Sequence, residues 1–145
     1  MTPRRAARAY ALQGLYAWQL TGAEVIDIAT SLREDAGFKR VDEDLFRTLL
    51  HGVLADTAAL DALLAPLLDR PAGELSPIEH GILWLAAYEL SQCIATPYRV
   101  IINEAIELAK SYGGTDGHKY VNGVVDKLAR TLRALEFSKD FPGKP

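Results

Sequence analysis

Ser76-Pro77-Ile78-Glu79-His80-Gly81-Ile82-Leu83-Trp84-Leu85-Ala86-Ala87-Tyr88-Glu89-Leu90 is the stretch that decides the fold. Its first four residues read as a capping box. Ser76 offers an acceptor to the open amides of a first helical turn, Pro77 takes the first helical position, and Glu79 reaches back toward the cap's backbone amide. The helix that follows is apolar on nearly every side, through Ile82, Leu83, Trp84, Leu85, Ala87 and Leu90. A surface helix carries one apolar stripe, whereas a helix apolar all round must be enclosed by other elements. The pattern predicts a central buried helix.

Outward from it, helix starts and stops recur and strand signals are nearly absent. Toward the N-terminus, Pro71 to Gly73 marks a connector. Leu12, Leu15 and Trp18 follow helical spacing until Thr21-Gly22, and a second helix is expected from Glu24 to Ala36 with a stop at Gly37. From Asp42 onward, Leu45, Leu49, Val53 and Leu54 continue into Leu60, Leu63 and Leu64. That run is long enough for two helices with a break near Asp56-Thr57. Toward the C-terminus, Thr96-Pro97 opens a helix whose apolar face is Ile101, Ala105, Leu108, Ala109 and Tyr112. Asn103, Glu104, Glu107 and Lys110 are expected on the solvated face opposite, and Gly113-Gly114 closes it. A last helix begins near Thr115 or Asp116 and packs through Val121, Val124, Val125, Leu128 and Leu132. The expectation is an all-α fold of six or seven helices in two small packed bundles sharing one core. They occupy about 1–70 and about 74–137 of a single domain, 1–137. Residues 138–145, with two prolines and a glycine, are expected to be a disordered tail.

The composition is that of an ordinary globular chain: 145 residues, 49% hydrophobic and 24% charged. A net charge of −3 argues against binding nucleic acid by bulk electrostatics alone. The distribution is more informative. Arg4, Arg5 and Arg8 stand in the first ten residues with no acid. From Glu24 to Glu79, twelve acidic side chains face five basic ones, and from Arg99 to Arg133 six basic side chains face four acids. Such a chain could hold an anionic polymer on one side and a basic partner on the other.

Enzyme chemistry finds no foothold. Cys93 is the one cysteine, read as a buried structural thiol, and His51, His80 and His118 are scattered without ligand spacing. No Gly-rich loop follows a strand, and the Glu104–Glu107 pair lacks a desolvated pocket. The expectation is no enzyme, no cofactor and no metal. The arginine-bearing N-terminus has no apolar segment of a secretory signal, and the longest apolar run, Ile82 to Tyr88, is too short to span a bilayer. The expected location is the cytoplasm, without membrane partners.

Two positive signals remain. On a helix, Arg4 and Arg8 share a face, and Arg5 falls on the stripe that later carries Leu12 and Tyr16. Guanidinium groups suit phosphates, although a solvated helix end reads the same way. Tyr16 lies at the edge of the apolar face, where its ring can stack on a base or be buried with only its hydroxyl wet. In Asp116-Gly117-His118-Lys119-Tyr120-Val121-Asn122-Gly123, Lys119 and Gly123 are expected to face outward. A glycine inside a helix costs roughly 1 kcal/mol against alanine, which asks for close approach by another chain or a neighbouring helix. Asp116 fits an N-cap.

Two stretches together resemble one family. Arg4-Arg5-Ala6-Ala7-Arg8 with Ala11-Leu12-Gln13-Gly14-Leu15-Tyr16-Ala17-Trp18-Gln19-Leu20 is similar to the N-terminal helix of the NusB family of bacterial antitermination factors. Tyr88-Glu89-Leu90, Pro97-Tyr98, Ile102-Asn103-Glu104-Ala105-Ile106-Glu107-Leu108-Ala109-Lys110 and His118-Lys119-Tyr120-Val121-Asn122-Gly123-Val124-Val125-Asp126-Lys127 resemble its C-terminal half. The resemblance implies an all-helical antitermination fold. It also implies binding of boxA RNA from ribosomal RNA operons, together with NusE (a small-subunit ribosomal protein), in an RNA polymerase antitermination complex. It carries RNA contacts onto Arg4, Arg5, Arg8, Gln13, Tyr16, Asp116 and Tyr120, and a NusE-side role onto Glu79. Lys119 joins the RNA set on its outward facing alone. Ala6 and Ala7 interrupt an arginine cluster that is often denser in the family. Trp84 stands where an arginine is common, Leu67 where some members have tyrosine, and Tyr120 where phenylalanine is frequent. Two other readings stay open: a helical protein-interaction module without RNA contact, and an RNA-binding domain related to those that precede rRNA cytosine methyltransferases.

Overall fold

The computed structural model describes residues 1–140. They form eight α-helices: α1 (Pro3–Thr21), α2 (Val25–Arg33), α3 (Glu43–Ala55), α4 (Thr57–Leu64), α5 (Pro77–Gln92), α6 (Tyr98–Tyr112), α7 (Gly117–Leu132) and α8 (Ala134–Asp140). Short 3-10 turns cover Ala36–Arg40, Ala65–Leu67 and Ala72–Glu74, and no strand occurs among the described residues. The all-α class is as expected, with one helix more than the upper count.

The boundaries have local causes. Thr2 accepts a hydrogen bond from the Arg5 amide and Pro3 opens α1, while Gly22 ends it at φ +67°, a conformation costly for other residues. Asp42 caps α3 by accepting from the Leu45 amide, with Glu43 and Asp44 in the first turn beside the positive end of the helix dipole. Ser76 caps α5 by accepting from the Glu79 amide at 3.1 Å. The Glu79 carboxylate accepts from the Ser76 hydroxyl at 3.1 Å and makes no bond to the backbone amide, so the box closes between side chains.

α5 is the enclosed helix. Gly81 to Ala87, Glu89 and Leu90 are all buried. α6 and α7 pack on it and on each other, while α1, α3 and α4 cover its remaining sides. α1 in turn packs on α2 and α3, and one buried cluster runs from Ala7 of α1 to Ala129 of α7. The C-terminal end of α5 is finished by a side chain that sequence reasoning passed over. Arg133, 6% exposed, donates to the carbonyls of Glu89, Leu90, Cys93 and Thr96 at 2.9–3.2 Å. A helix end leaves its last carbonyls unpaired, and here one guanidinium satisfies them.

α8 corrects part of the expected tail. Ser138 to Asp140 are helical, anchored from α6: the Phe137 ring stacks on Tyr98 at 4.0 Å between centroids, and the Tyr98 hydroxyl donates to Asp140 at 2.6 Å. Seven residues of mixed polarity show no apolar period, so their order depends on contacts remote in sequence. The rest of the expected tail, 141–145, lies outside the described residues. No single helix among the described residues is long and apolar enough to cross a membrane.

Candidate nucleic-acid interface

The three N-terminal arginines share one helix but not one environment. Arg4 keeps half of its side chain exposed, 3.7 Å from Asp42 and with a 3.4 Å hydrogen bond to the Thr96 hydroxyl. Arg5 is also half exposed; its Nε donates to Glu104 at 3.0 Å, and its Nη2 lies 3.0 Å from the same carboxylate. The hydrogen bonds and charge of Glu104 raise the Arg5 pKa further, so its charge is permanent. Arg8 is 2% exposed. Its Nε and Nη2 each donate to Glu89 of α5 at 2.8 Å, and Nη1 sits 3.5 Å from Glu104. Burial works to lower the Arg8 pKa, but the hydrogen bonds and charge of Glu89 outweigh it and the net direction is up. Arg4 and Arg8 therefore do not present a common surface, and Arg8 could meet a phosphate only by leaving a buried ion pair. Glu104, expected on a solvated face, instead turns toward α1 with 12% of its side chain exposed. The reason is electrostatic: two guanidinium groups stand across from it.

Farther along α1, Gln13 and Tyr16 are exposed, Tyr16 at 39%. Tyr16 occupies the edge expected for it. Arg5, Gln13 and Tyr16 recur at spacings of eight and three residues, so they follow one edge of the helix.

The second half of α1 meets the start of α5, where the Gln19 side-chain amide donates to the Pro77 carbonyl at 2.8 Å. The start of α5 meets the start of α7, because a β-carbon on Gly117 would lie 3.2 Å from the Glu79 carboxylate. Glu79 thus sits between the edge of α1 and the residues at the head of α7. There, Asp116 stands at the N-cap position with φ +65°, the one non-glycine residue in the left-handed region among those described, and its side chain caps nothing. It faces Lys119 instead, at 3.3 Å, with both side chains mostly exposed. A non-glycine residue held in this region carries strain of the kind that gathers at binding sites.

Tyr120 is half-buried. Its hydroxyl accepts from the Asp69 amide at 3.4 Å, and the Arg70 guanidinium lies 5.0 Å above its ring. Burial raises the Tyr120 pKa, so the phenol stays protonated. Arg70 was not singled out in the sequence, where it reads only as one charge beside a proline. Trp84 is buried, with its Nε1–H donating to Asp61 at 2.8 Å and the His80 ring 4.0 Å away. It belongs to the core. Gly123 has open space where a β-carbon would stand, so packing against a neighbouring helix is not its reason.

Cys93 is partly buried, and burial pushes its thiol pKa up. Among the described residues, no three His, Cys, Asp or Glu side chains converge so as to hold a metal ion.

Comparison with known proteins points to one family. The NusB family profile matches residues 5–130. A transcription antitermination protein NusB from Thiobacillus denitrificans is 59% identical over 133 residues, covering 92% of each chain. One from Burkholderia cenocepacia is 52% identical over the same shares. The solved structure of NusB from T. maritima superposes with a TM-score of 0.80 at 29% identity, covering 95% of this chain and 99% of that one.

Proposed function

The chain belongs to the NusB family, and from that premise we propose that it is a transcription antitermination factor that binds boxA RNA of ribosomal RNA operons jointly with NusE, inside an RNA polymerase antitermination complex. It acts in the cytoplasm as a binding subunit, without catalysis, metal or cofactor. The observation that carries this reading is the line of exposed groups joining two remote parts of the chain. Arg5, Gln13 and Tyr16 on one edge of α1 lead past Glu79 to Asp116, Lys119 and the half-buried Tyr120 at the head of α7, whereas Arg4 stands on the opposite side of α1 from Gln13. Guanidinium groups for phosphates and aromatic rings for unpaired bases are the combination single-stranded RNA requires.

The balance of charge explains why a partner is needed. The exposed arginines on α1 are already shared with Asp42 and Glu104, and the chain is acidic overall. A basic ribosomal protein docked near Glu79 supplies positive charge beside the RNA. Weak binding by the chain alone and distinctly tighter binding by the pair follow, and the coupling must be reciprocal. Titrating a boxA oligonucleotide into the protein with and without NusE tests this. Equal affinities would remove the cooperative mechanism. No RNA binding in either titration, with NusE still bound, would leave only the protein-interaction module. Glu79→Lys should weaken the NusE step more than RNA binding by the chain alone.

A further inference from the structure

Two clefts flank Tyr112, the last residue of α6, which is 42% exposed. The smaller lies beside Arg5, Glu104 and Glu107, and its charges already neutralise one another. The larger, about 250 Å³, has a different chemistry. It is lined by the methyl groups of Ala6 and Ala9, the rings of Tyr10 and Tyr112, and the exposed side chains of Gln13 and Arg40, with Met1 beside them. Tyr10 is fixed in place by a hydrogen bond from its hydroxyl to Asp35 and by edge-on contact with Phe38.

Unused binding capacity collects in this cleft. Alone among the arginines of the described residues, Arg40 has no carboxylate within ion-pair distance: Arg4, Arg5, Arg8, Arg33, Arg47, Arg70, Arg99, Arg130 and Arg133 each have one. It is exposed, and it is the only charged side chain lining the cleft. The Gln13 amide has no hydrogen-bond partner among the described residues either, so its donor and acceptor are both open. An apolar lining, an exposed aromatic ring, a free amide and a free guanidinium match the parts of one nucleotide: a base face, a base edge and a phosphate.

We infer that this cleft receives one unpaired nucleotide of the bound RNA, its base stacked on Tyr112 and facing Gln13, its phosphate held by Arg40. The inference rests on the RNA-binding reading and extends it. The strand would run past Gln13 onto the 3-10 turn Ala36–Arg40, a segment for which the sequence suggested no RNA contact. Tyr112 and Arg40 thereby become contact residues beside Gln13.

The test uses the intact chain with NusE and a labelled single-stranded boxA oligonucleotide, followed by fluorescence anisotropy over a range of salt. Tyr112→Ala should weaken binding about five-fold or more, the lower end of what one base stacked on an aromatic ring contributes, while Tyr112→Phe binds as wild type. Arg40→Gln should weaken binding and flatten the dependence of log affinity on log salt by roughly 0.7, one phosphate contact on a single strand. Both side chains are exposed, so the melting temperature serves as a control for folding. Oligonucleotides with an abasic sugar at successive positions should show one position whose loss is costly for wild type and nearly free for Tyr112→Ala. Wild-type affinity and salt slope in both variants would overturn the inference while leaving RNA binding intact. So would a free ribonucleotide that competes as well as the oligonucleotide, because the cleft would then be a mononucleotide site. Failure of the wild-type pair to bind the oligonucleotide at all would instead overturn the RNA reading, and this inference with it.

Discussion

Replacing Arg8 with alanine should unfold much of the protein's stability margin, although the residue belongs to an N-terminal cluster that looks made for RNA. Arg8 and Glu89 are each 2% exposed and joined by two hydrogen bonds of 2.8 Å. Removing the guanidinium leaves a carboxylate buried inside α5 with its charge uncompensated. Such a deletion costs about 3–5 kcal/mol, against a total stability of about 5–15 kcal/mol for a domain of this kind. Arg4→Ala offers the contrast, since its 3.7 Å pair with Asp42 is half in water and is worth about 0–1 kcal/mol. Urea denaturation followed by helical circular dichroism reads both, with the slope of the transition checking that one cooperative unfolding is being compared. The paired replacement Arg8→Met with Glu89→Leu should recover most of the loss, because no charge is then left unpaired. At temperatures where Arg8→Ala is still folded, its RNA affinity and salt slope should match wild type. A loss of stability below about 1 kcal/mol in that variant would refute the reasoning, because it would mean the carboxylate finds water or another partner.

Three further outcomes are expected. Glu104→Gln removes the charge that neutralises Arg5, so RNA binding should tighten and its salt slope steepen by roughly 0.7; an unchanged slope would mean Arg5 touches no phosphate. The Tyr10 pKa is pushed up to about 12, chiefly by its hydrogen bond to Asp35. A folded value above the unfolded one, about 10, means the stabilisation is whole below pH 10 and is lost as pH rises through 12. Ultraviolet titration should show a late phenol that disappears in Tyr10→Phe, and tyrosines all ionising together near 10 would count against it. Gly123→Ala should raise the melting temperature, by about 1 kcal/mol of added stability, because open space surrounds it inside a helix. If RNA or a partner approaches that backbone closely, the same variant binds it less well; a lower melting temperature would show a crowding the fold does not contain.

The fold was legible wherever local chemistry decides it. Ser76-Pro77, Asp42, Thr21-Gly22 and Gly113 mark their helix ends in the sequence as they do in the structure. The break at Asp56 is there as well. What stayed hidden depends on contacts remote in sequence. Arg133 caps a helix forty residues before it, and α8 is ordered by rings from α6. The burial of Arg8 did leave a trace. It lies four and seven residues before Leu12 and Leu15, on the stripe that faces α5, and Glu89 is the one acid within that otherwise apolar helix after its first turn. An arginine on an apolar stripe and a carboxylate in an apolar helix are two errors that cancel when paired. The free state of Arg40 left none, since nothing local distinguishes a cation without a partner from one with a partner.

The bond between Arg8 and Glu89 also sets a schedule for the newborn chain. The two residues are 81 positions apart, so at about 5–20 residues per second the ribosome takes roughly 4–16 s to deliver the carboxylate after the guanidinium. Until α5 is made, α1 has no α5 to lie against, and the apolar faces of α1 to α4 have only one another to cover them. Glu104, which holds Arg5, arrives later still, and the head of α7 after that. The edge of α1 is therefore made long before the residues that hold it, and it is set in place only after α5, α6 and the head of α7 have followed.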